Sequence, residues 1–142
     1  DPYQWQCEES ARQIAHATGI PALDWHICYQ SRVGPLKWIG PSTEEAIEKA
    51  AADDVGIIIY PHAFVSEHVE TLVEIEDEYR HFAKERGITD FIRISTVMTH
   101  PKFIVGLRDM VLQNLNKDGI VSSQGPAICP ANFTQCCKRR GI

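Results

Sequence analysis

Acidic side chains crowd one short stretch of the chain: Glu67, Glu70, Glu74, Glu76, Asp77 and Glu78, with no Lys or Arg until Arg80. On an ideal helix Glu67, Glu70, Glu74 and Glu78 stack along one stripe, with Asp77 near its edge. Val69, Leu72, Val73 and Tyr79 fall on the opposite half, which would face a sheet. Each like-charge pair at this spacing costs about 0.2–0.5 kcal/mol. The positive end of the helix dipole offsets some of that for Glu67 and Glu70, but not for Glu78. Two readings are open: a solvated acidic face, or a ladder of oxygen ligands that passes a cation or protons. Crowded carboxylates raise one another's pKa, which suits them to accept protons. His68 lies about 100° from the stripe on an ideal helix. It joins the stripe only if the first turn is distorted, for example by a π-type bulge, a feature frequent at functional sites.

The second pool of reactive groups is the thiols: Cys7, Cys28, Cys129, Cys136 and Cys137. An odd count with no secretory signal in view points to reduced thiols or a metal site, not a disulfide framework. A net charge of −5 argues against a nucleic-acid partner, which needs a basic face. No apolar run approaches the roughly 20 residues needed to cross a bilayer. The chain opens on Asp1-Pro2 without an initiator Met, so it is expected to be a piece of something longer.

The elements that must position the acidic stripe follow from periodicity and punctuation. Residues 3 to 18 predict a helix stopped by Gly19 and Pro21. Residues 23 to 31 predict a strand. Ser42, with Glu45 three residues on, forms a capping box for a helix to about Ala52. The apolar run 55 to 60 suits a strand buried on both faces, as in a parallel sheet. Ser66 is expected to cap the acidic helix, which runs to about Arg86 before Gly87. Residues 90 to 95 predict a third strand, and Pro101 starts a helix to about Asn116. This αβαβαβα order with short connections implies an α/β fold with a parallel sheet flanked by helices. A lobe over 1–116 and a Cys-containing tail over 117–142 are the expected parts. Ligands in such folds bind at the carboxyl ends of strands. The acidic helix starts just after the end of strand 55–60, and the loop carrying Trp38 follows strand 23–31. Position therefore favours the functional reading of the ladder.

Two segments carry a family resemblance. Tyr29 to Thr43, YQSRVGPLKWIGPST, and Pro61 to Tyr79, PHAFVSEHVETLVEIEDEY, closely resemble segments of the ferrochelatases, in the family's order and spacing. The more specific pattern is Phe64-x-Ser66-Glu67-His68-x-Glu70-Thr71-Leu72. The similarity extends from about Asp1 to Val111.

The resemblance implies one of two Rossmann-like, chelatase-type lobes, three layers deep, that close on a porphyrin and insert Fe²⁺ to form heme. It implies that Glu70 is the active-site glutamate and His68 a catalytic neighbour on a locally widened helix. Glu67, Glu74 and Glu78 would be further metal-side carboxylates. Ser31, Arg32 and Trp38 would face the porphyrin, with Phe64 beside them. Whether the ladder carries iron in or protons out stays open. Many ferrochelatases hold a [2Fe–2S] cluster near the carboxyl end, where Cys129, Cys136 and Cys137 stand. A fourth ligand would then come from Cys7, Cys28 or the missing amino-terminal lobe, and a tail of free thiols is the other reading. The implied setting is the cytoplasm, peripheral to the membrane, with oligomeric state undetermined. Rival readings are a non-catalytic α/β module whose acidic helix binds a cation or a basic protein, and a chelatase for another tetrapyrrole or metal such as cobalt. The family's active-site histidine belongs to a motif upstream of Asp1, and none of His16, His26, His62, His81 or His100 replaces it by motif. The chain alone is therefore expected not to make heme. An insertion assay on the isolated chain checks this, and turnover equal to the full-length enzyme would refute it.

Overall fold

The computed structural model describes residues 1–31, 35, 37–119, 121 and 128–136. Arg32 and Cys137 lie outside the described residues. The elements are α1 Tyr3–Ala17, α2 Thr43–Ala52, β1 Ile57–Ile59, a π-helix Glu70–Glu78 continued by α3 Tyr79–Glu85, β2 Phe91–Arg93 and α4 Pro101–Asn114. They divide into two compact units, Asp1–His16 with Thr99–Ile142, and Ala17–Met98. The described residues of the 117–142 segment thus group with α1 and α4. No described helix is long and apolar enough to cross a membrane.

In the first unit, Pro101 stands in the first turn of α4 and His100 caps it, its Nδ1 accepting the Lys102 amide at 3.3 Å. Gln6 on α1 points its amide at the Cys129 sulfur at 3.8 Å.

The second unit is built on the two-stranded parallel sheet. Its register pairs Ile57 with Phe91, Ile58 with Ile92 and Ile59 with Arg93. The expected capping box opens α2: Ser42 Oγ accepts the Glu45 amide at 3.2 Å, and Glu45 accepts the Ser42 amide at 2.8 Å. α2 and α3 cover one face of the sheet, where Ile47, Ala83, Ile88 and Phe91 form the core with Ile57 and Ile59 against them. Burying a side chain such as Ile47 contributes about 1.5–3 kcal/mol.

Three expectations are corrected. First, the apolar strands are not buried on both faces: Ile58 is 66% and Ile92 54% exposed, because within this unit the helices lie on one side only. Second, residues 23–31 do not form a strand. Only Tyr29 makes a bridge, to Ser42, with its amide on the Pro41 carbonyl at 2.8 Å. The positive φ of Ala22 and Ser31 brackets the segment, and a strand without a paired neighbour leaves its backbone groups to water.

Third, the acidic helix begins later and is wound wider. Ser66 does not cap it. The His68 amide donates to Thr71 Oγ1 at 2.9 Å, and His68 Nδ1 accepts the Glu70 amide at 3.1 Å. From Glu70 the winding is π, so the Tyr79 amide reaches back five residues to the Glu74 carbonyl. A turn then holds a little over four residues, and side chains four apart lie nearly in a row. The buried row is Thr71, Ile75 and Ala83, not Val69, Leu72 and Val73, which are exposed.

An ion network ties this helix to β2. Arg93 donates through Nε to Glu76 at 2.8 Å and through one terminal nitrogen to both Glu67 oxygens at 3.0 Å. Glu67 also accepts the Thr96 amide at 2.9 Å. Arg80 pairs with Glu76 and donates to the Phe91 carbonyl at 2.7 Å. Burial alone pushes the Glu67 carboxyl up. Its bonds with Thr71, the Thr96 amide and Arg93 outweigh that and lower its pKa from 4.5 to about 2.

Because that folded-state pKa lies below the unfolded one, the network's stability is present above about pH 4.5 and lost as pH falls toward about 2. Urea midpoints should drop across this window, and Glu67→Gln should flatten the drop; an unchanged acid slope in the variant would contradict the assignment. Gly56 has no room for a side chain, since a Cβ there would stand 2.7 Å from the Asp90 Cβ and 3.0 Å from its carbonyl oxygen. That oxygen holds the Ile57 amide at 2.8 Å and cannot retreat freely. Gly56→Ala should cost about 1–3 kcal/mol, whereas Gly106→Ala, in open space on α4, should gain about 0.5–1 kcal/mol. Thermal unfolding compares the two.

Candidate active site

The carboxyl end of β1 leads through Pro61 and Phe64 to His68, so the acidic helix starts at the sheet edge where α/β folds bind ligands. Phe64 packs edge-on against the His68 ring, with centroids 4.7 Å apart at 73°. Since His68 Nδ1 accepts from the Glu70 amide, the neutral ring carries its proton on Nε2. His68 is thus brought beside Glu70, but it precedes the wide helix and holds its first turn.

Glu70, Glu74 and Glu78 form a row on the π-helix, adjacent to the buried row of Thr71 and Ile75. Glu70 and Glu74 are half-buried, and Glu78 is exposed. Glu67 does not belong to this row. It lies before the helix, in the ion pair with Arg93.

The segment around Ser31 meets the row from the other side. Ser31 donates its hydroxyl to the Glu70 carboxylate. Gln30 donates to the Glu74 carboxylate at 2.6 Å and lies 3.4 Å from the Glu70 carbonyl oxygen. The Gln30 carbonyl in turn accepts the Trp38 indole N–H at 3.2 Å. Ser31 sits at φ +63°, a left-handed conformation uncommon for serine. Of the porphyrin-side residues expected from sequence, Ser31 and Trp38 are therefore brought to the acidic row, and Phe64 is held against His68.

Between these parts lies a cleft of about 950 Å³, lined among others by Gln30, Ser31, Trp38, Glu44, Glu74, Glu78 and Tyr79. Its walls carry four carboxylates, since Glu45 joins the other three, against one described cation, Lys37. Glu70 stands behind Ser31, outside the lining. Tyr79 donates to Glu44 at 3.3 Å. Burial and then the Glu44 charge push its phenol up to about 12, so it remains a protonated donor.

The residues that sequence reasoning missed are Gln30 and Arg93. Gln30 had a signal, its place directly before Ser31 in a segment already singled out. The signal at Arg93 was a lone cation inside an apolar strand, which requires a buried partner.

Among the described residues, no three His, Cys, Asp or Glu side chains gather closely enough to hold a metal ion. The acidic row is thus a line of separate oxygens, not a cage. The described thiols likewise do not supply the ligand set of a [2Fe–2S] cluster. Cys7, Cys129 and Cys136 are buried, and burial raises the Cys28 thiol above its usual range.

Comparison with known proteins gives one family. The ferrochelatase family profile matches residues 1–115. The chain is 49% identical over 142 residues to the ferrochelatase of Caulobacter vibrioides (strain NA1000 / CB15N), a match covering 99% of this chain and 41% of that protein. It is 48% identical over 139 residues to that of Hyphomonas neptunium, covering 96% and 38%. The ferrochelatase of Rickettsia conorii is 45% identical over 142 residues, covering 97% and 41%. The chain therefore spans well under half the length of these relatives. Its small parallel sheet with packed helices is of the Rossmann-like chelatase type. With a profile match over most of its length and a wide acidic helix at the sheet edge, this chain belongs to the ferrochelatase family.

Proposed function

We propose that the chain is the carboxyl-terminal half of an enzyme that inserts Fe²⁺ into a porphyrin to form heme. The observation that carries this reading is the bond from Ser31 to Glu70. It joins the segment expected to face the macrocycle to the glutamate expected to act on it.

Metal insertion removes two pyrrole protons, strips water from Fe²⁺ and bends the macrocycle to expose its nitrogens. Bending strain of about 1–5 kcal/mol comes from binding energy elsewhere on the macrocycle. Glu70 accepts a proton from the reacting face, and the second acceptor is a histidine of the amino-terminal lobe. His68 keeps Glu70 in place through the hydrogen bond its ring accepts from the Glu70 backbone amide. Glu74 and Glu78 extend the row from the half-buried end to the exposed end, a path for protons out or iron in. Separate carboxylate oxygens hold Fe²⁺ loosely enough to hand it to nitrogen. The exposed Trp38 offers a flat apolar face to the macrocycle, and Ser31 meets its edge.

In the full-length enzyme, Glu70→Gln should lower kcat for iron insertion by about 10²–10⁴-fold while porphyrin still binds, read from the shift of its Soret band. Glu78→Gln, at the exposed end, should cost less. Insertion at the unaltered rate in Glu70→Gln, or no Soret shift with the unaltered protein, would overturn the reading. The second result would favour a docking module without catalysis.

A further inference from the structure

We propose that Arg93 is a positioning residue for metal insertion, selecting the wide winding that turns Glu70 and Glu74 toward their donors Ser31 and Gln30. The inference rests on the role given to Glu70 above. Arg93 bonds Glu67 and Glu76 at once, through Nη1 at 3.0 Å and Nε at 2.8 Å. These partners are nine residues apart. On a regular α-helix, at about 100° per residue, side chains nine apart point to opposite sides, about 180° from each other. One guanidinium cannot bridge them there. The bridge forms because Glu67 and His68 precede the helix and because the following turns hold a little over four residues each.

The cation at the centre of the network is largely buried, with Glu76 its more exposed partner at 32%. The Arg93 side chain is 9% exposed and Glu67 17%. A cation so placed needs both carboxylates, since leaving either partner unpaired is costly. A regular α-helix running from Ser66 through Glu78 would separate them, so the guanidinium discriminates against that start and winding by its own unmet bonds. Arg93 sits at the end of β2, paired in register with Ile59, so the reference frame is the sheet. Glu70 and Glu74 lie between the two anchor points, and their donors Ser31 and Gln30 come from a separate segment. An altered winding would turn both carboxylates away from those donors.

The test uses the full-length enzyme with Arg93→Lys and Glu76→Gln. Lysine keeps the charge but lacks the fork that spans two carboxylates. Glu76→Gln removes one anchor charge and leaves Glu67 paired, which guards against a variant that fails to fold. In both we expect faster amide exchange over residues 70–79, loss of the bond from the Tyr79 amide to the Glu74 carbonyl in a crystal structure, and kcat lowered by about 10–100-fold at unchanged porphyrin KM. Retained winding and wild-type exchange in both variants would overturn the proposal, whatever happens to kcat. Lost winding with full kcat would instead overturn the catalytic assignment of Glu70, and with it the link from Arg93 to insertion.

Discussion

The bond set from one guanidinium, Arg93, to carboxylates on either side of Glu70 is the constraint on which the direction of the acidic row depends. A π-wound helix is rare because its backbone bonds close at i→i+5 with poorer packing along the axis. It persists where surrounding structure over-determines it. Here it is constrained at both ends. Thr71 and His68 lock its first turn by reciprocal bonds, the His68 amide donating to Thr71 Oγ1 and that hydroxyl donating to the His68 carbonyl, and Arg93 spans Glu67 and Glu76 from the sheet. Thr71 and Ile75 sit beneath as the buried row, so the winding also sets which side of the helix faces the core.

Fixing the winding settles the electrostatics of the cleft. Four-residue spacing makes Glu70, Glu74 and Glu78 a straight row, and that row grades from half-buried to exposed. Two neutral donors, Ser31 and Gln30, hold its inner members. The network's cations are committed to Glu67 and Glu76, so they do not neutralise the row. An acidic cleft with fixed neutral donors favours a cation or a proton in transit over an anion. That is the environment metal insertion requires.

Much of this was legible in the residues, for identifiable reasons. The capping box at Ser42 and Glu45 is a local device and forms as expected. The helices ending near Ala17 and Ala52 and starting at Pro101 follow local punctuation. The stripe of Glu70, Glu74 and Glu78 survives because four-residue spacing stays in a row under either winding. What local signals did not carry was tertiary. Residues 23–31 have strand-like composition but no paired neighbour, so only Tyr29 bridges. An α phase that begins at Ser66 puts Val69, Leu72 and Val73 inward. The true start and the wider turn put Thr71 and Ile75 inside instead. Glu67 looked like a fourth member of the stripe because Arg93, 26 residues away, is invisible to a helical wheel.

The central claim is that Glu70 faces the reacting side of a porphyrin seated between the acidic row and Trp38. The most direct measurement is a crystal structure of the full-length protein with porphyrin bound. The account predicts the Glu70 carboxylate directed at the pyrrole nitrogens, with Ser31 at the macrocycle edge and residues 70–78 still π-wound. A porphyrin seated away from this helix, with Glu70 turned to solvent, would contradict it.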